Sequence, residues 1–425
     1  MRQKATFNLA PGQSKEIKKR MLDWASQFSI LLFLDSNDYP GRYGCLLAVD
    51  AMETVNDSLA DIQAHHDANK DWLLGHICYD YKNELEPKLS SDHEEHLGFP
   101  LLQFFRPRIV CYMGASHEEL TIECVDVNPQ QVYNAIINTE IKEIASLPAL
   151  NFQQRVSKNV YLDHIAKLRQ HIFEGDCYEI NYCTESFCEN AVIDTLSAFK
   201  RLNNISPAPF AAYYRLHDKY MLCSSPERYL EKSGDTLCSQ PIKGTARRSG
   251  HEAEDEQIKD ALRSSLKERA ENVMITDLTR NDLARVSEMG SVNVEELFGI
   301  YSYPRVHQMI STITGKMRSG LPFTDAIRYS FPMGSMTGAP KVKVMQLIER
   351  YEQARRQLYS GTVGYITPGG DFDFNVVIRS LFYNAETHYL SYQAGGAITY
   401  DSIAEQELEE MRLKSWAMEQ IFTQG

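Results

Sequence analysis

Glu407, Glu410 and Lys414 stand three and four residues apart, so on a helix all three project from one face. One helix of this kind reads as a solvated charged face. A second acidic element changes that reading. Glu271 lies in Lys267-Glu268-Arg269-Ala270-Glu271-Asn272-Val273-Met274, where the sequence turns apolar. A carboxylate buried there needs a partner. Carboxylates from two separate helices, with no Cys or His beside them, suit a hard cation with oxygen ligands, most naturally Mg2+.

Lys243 sits in Gln240-Pro241-Ile242-Lys243-Gly244-Thr245, at the end of an expected strand and facing a cleft. A lysine becomes a nucleophile only as the free amine, so its pKa is expected below the ordinary range, lowered by desolvation or a nearby cation. Taken singly it reads as an ordinary surface lysine. Glu227 follows a strand at the turn Ser225-Pro226-Glu227, where it could act as a general acid or pair with Arg228 in solvent. Phe331 to Lys341 places small residues before a helix, and free amides at a helix N-terminus attract anions. Gln393-Ala394-Gly395-Gly396-Ala397 would let backbone approach a ligand. Arg379, in an expected strand with Val377 and Leu381 on its face, needs an anion if it points inward, and a carboxylate suits its forked donors. Tyr365 on the preceding strand could add a hydroxyl.

These residues must be held by a mixture of strands and helices. Ser14 to Phe28 reads as a helix, and Gly44 to Val49 and Arg108 to Met113 as strands. Residues 135 to 156 read as a connector. Leu162, Ile165, Leu168 and Ile172 form a helical stripe ending at Gly175. Tyr178 to Phe187 and Tyr220 to Ser224 read as strands. Ile258, Leu262 and Leu266 mark one helix continuing to Glu271. Pro340 opens a helix containing Val342, Met345 and Ile348. Gly361 to Ile366, Phe374 to Tyr383 and His388 to Ala394 read as strands, and Asp401-Ser402 caps a last helix reaching Phe422. Strand and helix do not alternate strictly, which favours an α+β fold over a doubly wound one.

Composition narrows the functional classes. The 425 residues carry 44 basic and 57 acidic side chains, a formal charge of −13. That balance argues against a broad nucleic-acid footprint, though a few local cations can still serve an anionic small molecule. With 43% hydrophobic residues the chain can build a large core. Met1-Arg2-Gln3-Lys4 leads into polar sequence, and Ile30 to Leu34 is far too short to span a membrane. The nine cysteines lack C-x-x-C spacing, so they are expected as reduced, buried thiols in a cytoplasmic protein. Asp92-His93-Glu94-Glu95-His96 looks metal-like but reads as a solvated loop.

Several of these segments fall in one familiar order. Ser225-Pro226-Glu227-Arg228, Pro241-Ile242-Lys243-Gly244-Thr245, Ala270-Glu271-Asn272 with Asp277-Leu278-Thr279-Arg280-Asn281-Asp282, Thr337-Gly338-Ala339-Pro340-Lys341 and the Glu407/Glu410/Lys414 helix resemble the chorismate-utilising family. That family includes anthranilate synthase component I, aminodeoxychorismate synthase component I, isochorismate synthase and salicylate synthase. The resemblance is strong from about 157 to 420. It is weak before that, where Leu34-Asp35-Ser36 and Gly75 to Asp80 look like degraded family segments. It implies an anthranilate synthase component I-like fold, with layered antiparallel β-sheets and outer helices around a central cleft. Residues 1–150 would form an N-terminal α+β region and 151–425 the chorismate-binding region. It also implies Mg2+ held by Glu271 and Glu410, with Glu407 acting through water. Substrate would be bound by Thr245, Thr337, Gly338, Ala339, Tyr365, Arg379, Gly395, Gly396 and Lys414. The Asp277 to Asp282 block is expected to be structural.

Lys243 separates the branches. Anthranilate and isochorismate synthases have a small residue there, whereas aminodeoxychorismate synthases of this type have lysine. The resemblance therefore implies that Lys243 attacks ring C2 while Glu227 protonates the departing C4 hydroxyl, and that ammonia then attacks C4 and expels the lysine. The chain has no G-x-C-x-G nucleophile turn, Gly44-Cys45-Leu46-Leu47 lacking the closing glycine, so ammonia is expected from a separate glutaminase subunit. Two positions depart from other branches. Gln308 stands where anthranilate synthases have histidine, and His307, one place earlier, receives no proton-transfer role. Glu179 stands where isochorismate synthases have a water-activating lysine. Anthranilate synthase component I and a non-catalytic chorismate or tryptophan sensor are the competing readings. A mere binder has no need of a paired acid and nucleophile.

Overall fold

The strands Ile30–Asp35 and Tyr43–Val55 are apolar on both sides where each face of their sheet is covered. Ile30 and Leu32 pack into one core, Leu31 and Phe33 into another. Leu46 and Ala48 alternate with Leu47 and Val49 in the same way. The computed structural model describes residues 2–423.

All named strand pairings are antiparallel. One layer runs from Gln3–Asn8 through Glu119–Cys124, Leu102–Gly114, Tyr43–Val55, Ile30–Asp35, Phe210–Leu216, Lys219–Ser225, Ser380–Asn384 and Tyr389–Ile398 to Glu179–Cys188. The other begins on the same Leu102–Gly114 strand. It continues through Leu73–Ile77, Thr362–Ile366, Phe372–Asn375, Arg228–Ser233 and Thr236–Gln240 to Val306–Lys316, which also pairs with Ile242–Arg247 and Asn293–Ser302. A core containing Leu32, Phe104, Tyr214, Leu230, Ile313 and Phe374 lies between the layers. The first layer's outer face is covered by the helices Ser14–Ala25, Pro129–Asn138, Thr195–Ile205 and Ala404–Gln420. Lys158–Phe173 and Lys341–Tyr351 pack beside Tyr182 and Leu408. The layered α+β architecture is the one expected. Residues from 1–150 and 151–425 are woven together in both layers, with Leu31 opposite Arg215 and Ile77 opposite Thr362.

Four local expectations are corrected. The helix through Leu262 and Leu266 is two helices, Glu252–Ser264 and Leu266–Ala284, broken at Ser265, whose hydroxyl accepts from the Glu268 amide. The strand expected over Phe374 to Tyr383 breaks between Asn375 and Ser380, where Arg379 has φ +53°. Asp401-Ser402 does not cap the last helix. Ile403 occupies that position, and the Ser402 hydroxyl accepts from the Thr399 amide instead. Pro340 precedes its helix rather than opening it, and Val344 and Leu347 join Met345 and Ile348 on the buried side. Among the described residues all nine cysteines are free, seven of them buried. Among the described residues no helix is long and apolar enough to cross a membrane.

Arg356 is the largest side chain that is almost wholly buried. Its guanidinium donates to both oxygens of Glu352 at 2.9 and 2.7 Å, to Met336 O at 2.6 Å and to Asn181 O at 2.8 Å. Its face lies 4.5 Å from the Tyr79 ring centroid. Glu352 also accepts from the Cys183 amide at 2.8 Å. Removing one partner of a buried pair leaves an uncompensated charge, at a cost of about 3–5 kcal/mol. Arg356→Leu is therefore expected to lower the urea midpoint by that amount of stability, and an unchanged midpoint would show that the pair carries no structural load.

Candidate active site

A β-bulge aims Lys243. Ile242 pairs with Ile310 and Thr245 with Gln308, so three steps on one strand face two on the other. Gly244 takes up the extra residue at φ +95°, a conformation glycine adopts without strain. The bulge directs the Lys243 ammonium onto Glu179, 2.6 Å away, and both groups are buried.

The cavity around them has a volume of about 90 Å3. It is lined by Glu227, Lys243, Thr245, Glu271, Arg379, Gly395, Glu410 and Lys414 from the expected set. Gly396 lies beneath the last helix. A side chain there would meet Glu407 Oε2 at 3.3 Å, Lys414 Nζ at 3.7 Å and Glu410 Oε1 at 3.8 Å, so its bareness makes room for all three. Lys414 donates to Gly395 O at 3.0 Å and holds Glu410 at 2.7 Å. Gly395 faces a different constraint from the one expected. A Cβ would stand 2.1 Å from Tyr182 O on the paired strand, so the close approach is strand to strand rather than backbone to ligand.

Four expected contacts lie elsewhere. Thr337 is fully buried and its hydroxyl donates to Met333 O and Gly334 O. Gly338 and Ala339 pair with Ile180 and Glu179. The loop thus spends its backbone groups on the neighbouring strand, and Ser335 and Met336 from it face the cavity. Tyr365 is in the second layer and points into a separate pocket with Tyr43, Arg228 and Asp373. Its ring is 5.4 Å from that of Tyr43. Tyr359, on the turn before that strand, is the tyrosine in the cavity, its hydroxyl 3.4 Å from Cys183 Sγ.

Burial sets the electrostatics. Desolvation pushes Glu227 up to about 7, even with Lys243 nearby favouring the anion. Desolvation likewise pushes Glu271 up to about 8. Glu410 is held below the usual carboxylate range by Lys414. Arg379 is pushed down by burial, and no carboxylate lies within 4.0 Å of it among the described residues. Lys243 corrects the expectation of a lowered pKa. Burial does disfavour its charge, but Glu179, Glu271 and Glu227 together outweigh burial and hold it above the ordinary lysine range.

The carboxylates fit a cation. Glu271 Oε1 and Glu407 Oε2 are buried without a hydrogen-bond partner. Lys267 Nζ stands 3.3 Å from Glu407 and 3.9 Å from Glu271, partly neutralising both. The chelate is not drawn tight. Among the described residues, the three ligand-type side chains with atoms within 4.8 Å of one another are His171, Glu174 and Asp176. There Asp176 is already paired with His171 and Lys343. The 92–96 loop is tied down by His93 to Glu349 O and by His96 stacking on Tyr389. Asp282 holds Lys341 at 2.6 Å, a structural role as expected, while Asp277 pairs with Arg280 on the surface.

Sequence reasoning had not given roles to Glu179, Asn181, Lys267, Glu268, Ser335 or Tyr359. Glu179 carried a signal, being a charge that opens the otherwise well-buried strand Glu-Ile-Asn-Tyr-Cys. Tyr359 carried none.

Residues 35–420 match the family model described as chorismate binding enzyme. Aminodeoxychorismate synthase component 1 of Salmonella typhimurium is 39% identical over 259 residues, 61% of this chain and 56% of that protein. The protein of the same name from Bacillus subtilis is 34% identical over 361 residues, 81% of this chain and 76% of that one. The match to aminodeoxychorismate synthase of Streptomyces pristinaespiralis, 40% identical, spans 37% of its length. Anthranilate synthase component I from Streptococcus pneumoniae superposes with a TM-score of 0.78 at 22% identity, over 90% of this chain and 93% of that one. The menaquinone-specific isochorismate synthase of Escherichia coli gives 0.78 at 16% identity, over 100% and 95%. With the match running through nearly all the strands and helices that build the cleft, the chain belongs to the chorismate binding enzyme family.

Proposed function

We propose that the chain is an aminodeoxychorismate synthase component I, acting in the cytoplasm with a separate glutaminase subunit. It converts chorismate and ammonia to 4-amino-4-deoxychorismate and water. The observation that carries this reading is a buried lysine paired with Glu179 in a cavity shared with Glu227, whose carboxyl burial pushes up to about 7. Glu179 is placed to take a proton from Lys243, and Glu227 near 7 is available to give one. The names of the relatives support the same branch.

The resting pair is an ammonium and a carboxylate. Transfer of one proton along the 2.6 Å contact frees the Lys243 amine and neutralises Glu179. The amine forms a bond to ring C2, both ring double bonds shift round the ring away from C3, and the C4–O bond breaks. Glu227 donates the proton that lets the hydroxyl leave as water. Ammonia then bonds to C4, both double bonds return, and Lys243 leaves as the free amine. Glu179 returns its proton to Lys243, and the new C4 ammonium reprotonates Glu227. Arg379, with no carboxylate of its own, holds a substrate carboxylate, aided by Tyr359. Glu271 and Glu410, with Glu407 beside them, would hold Mg2+, which when bound would neutralise a second substrate carboxylate.

Purified protein given chorismate, Mg2+ and ammonium is expected to form 4-amino-4-deoxychorismate, identified by mass and absorbance, without release of 4-aminobenzoate. Anthranilate as the product would overturn the branch assignment. Glutamine is expected to replace ammonia only when a glutaminase is added.

Without ammonia, a chorismate adduct is expected on the peptide containing Lys243. Lys243→Ala should abolish it while retaining chorismate binding. Glu179→Gln should slow its formation by about 10²–10⁴-fold. Adduct formation at the unmodified rate in Glu179→Gln would exclude the proton transfer. Because Glu227 must be protonated, the adduct rate should fall as pH rises through about 7. Glu227→Gln should remove that limb along with most of the rate.

Chelation with EDTA should abolish turnover and Mg2+ restore it. Glu271→Gln should raise the Mg2+ concentration needed for half-maximal activity. Full turnover under thorough chelation would remove the metal from the reading.

A further inference from the structure

Behind Arg379 the cavity adjoins a second, wider cleft of about 840 Å3. Gln308, Arg379, Lys414 and Met418 line both spaces and form the wall between them. The wider cleft carries Arg247, Arg248, Arg305, Arg379 and Lys414, and no Asp or Glu. Acidic side chains outnumber basic ones 57 to 44 in the whole chain, so this cleft inverts the molecule's own balance.

Most of this charge is unanswered. Arg248 is held by Asp255 at 2.7 Å and Lys414 by Glu410. Among the described residues, Arg247, Arg305 and Arg379 have no carboxylate within 4.0 Å. Arg305 lies over the Trp416 ring at 4.3 Å and donates to Ile205 O. The inner cavity, by contrast, carries Glu268, Glu271 and Glu410 along with its lysines. A dianion is drawn in from the arginine side. Low-dielectric walls lined by one sign of charge focus the field towards the mouth. The cleft's size and concavity suit a small molecule better than a flat protein partner. At the dividing wall Gln308 is buried, and its amide oxygen has no hydrogen-bond partner among the described residues. That oxygen is an unspent acceptor for the hydroxyl of an incoming ligand.

We propose that the wide arginine-lined cleft is the entry path of the dicarboxylate substrate, with Arg247 and Arg305 steering it to the wall formed by Arg379, Lys414, Gln308 and Met418. This rests on the chorismate reading above. Arg247 and Arg305 act on approach and do not touch the bound substrate. They therefore govern association rather than turnover.

The test is stopped-flow binding of chorismate to the whole unmodified chain with Mg2+ and no ammonia. It is read by intrinsic fluorescence, since Trp416 lies in the cleft wall. The association rate constant is expected to fall about tenfold or more as ionic strength rises from about 10 mM to 300 mM. Arg247→Glu, at an exposed and unpaired position, should lower it about tenfold at low salt and flatten the salt dependence, with the dissociation rate unchanged. Arg305→Gln should act in the same direction. A salt-independent association rate, or an unaltered rate in Arg247→Glu, overturns the proposal. Loss of glutamine-supported turnover in Arg247→Glu with normal chorismate association also overturns it, assigning the face to the glutaminase. Absence of any chorismate binding by the unmodified chain would instead refute the substrate reading itself.

Discussion

A guanidinium with no access to water must be answered on every side, and the answers given to Arg356 organise the cleft. Its partners belong to the Glu179–Cys188 strand, the loop before the Lys341–Tyr351 helix, and that helix's own end. Tyr79 from the N-terminal third closes its face. Burying such a group is costly unless each donor is satisfied, so displacement of one partner disturbs the rest. Glu179 and Asn181 lie on the strand thus fixed, and Ser335 and Met336 on the loop. The setting of Lys243 therefore stands on a charge pair that does not line the cavity.

The inner site balances opposing demands on charge. A nucleophilic lysine must be able to lose its proton, yet Glu179, Glu271 and Glu227 hold it charged. Neighbouring carboxylates differ in the environments that set their protonation. Glu227 is raised by burial, whereas Glu410 is lowered by Lys414. Such divergence lets an acid and an anion coexist within one cavity.

Much of this was legible in the residues. The i, i+3, i+7 spacing on the last helix placed Glu407, Glu410 and Lys414 together because helical period alone decides it. Lys243, Glu227, Glu271 and Arg379 were legible because charged or polar side chains next to glycine, proline or apolar runs have few uses. What failed depended on tertiary context. Tyr365 does lie on its expected strand, but which layer that strand joins is not written in its period. Thr337 to Ala339 carried a good anion-binding pattern, but the Thr337 and Ala339 carbonyls accept from the neighbouring strand and the Thr337 amide is spent on Gly334 O. The sign of the Lys243 shift depended on Glu179, which the sequence places sixty-odd residues away. The bulge at Gly244 that joins the two is a matter of register between strands.

The weaving of early and late strands also bears on how the polypeptide comes into being. The Leu73–Ile77 strand lies between Leu102–Gly114 and Thr362–Ile366, and Ile30–Asp35 awaits Phe210–Leu216. A chain emerging N-terminus first must carry these apolar strands with open edges through most of synthesis. Their partners arrive late, and pairings between distant segments close slowly because loop entropy is lost before contact energy is gained. The helix bearing Glu407, Glu410 and Lys414 follows every described strand. The cleft therefore gains these side chains only after all those strands have been made, and an interrupted chain exposes unpaired strands rather than a smaller working enzyme.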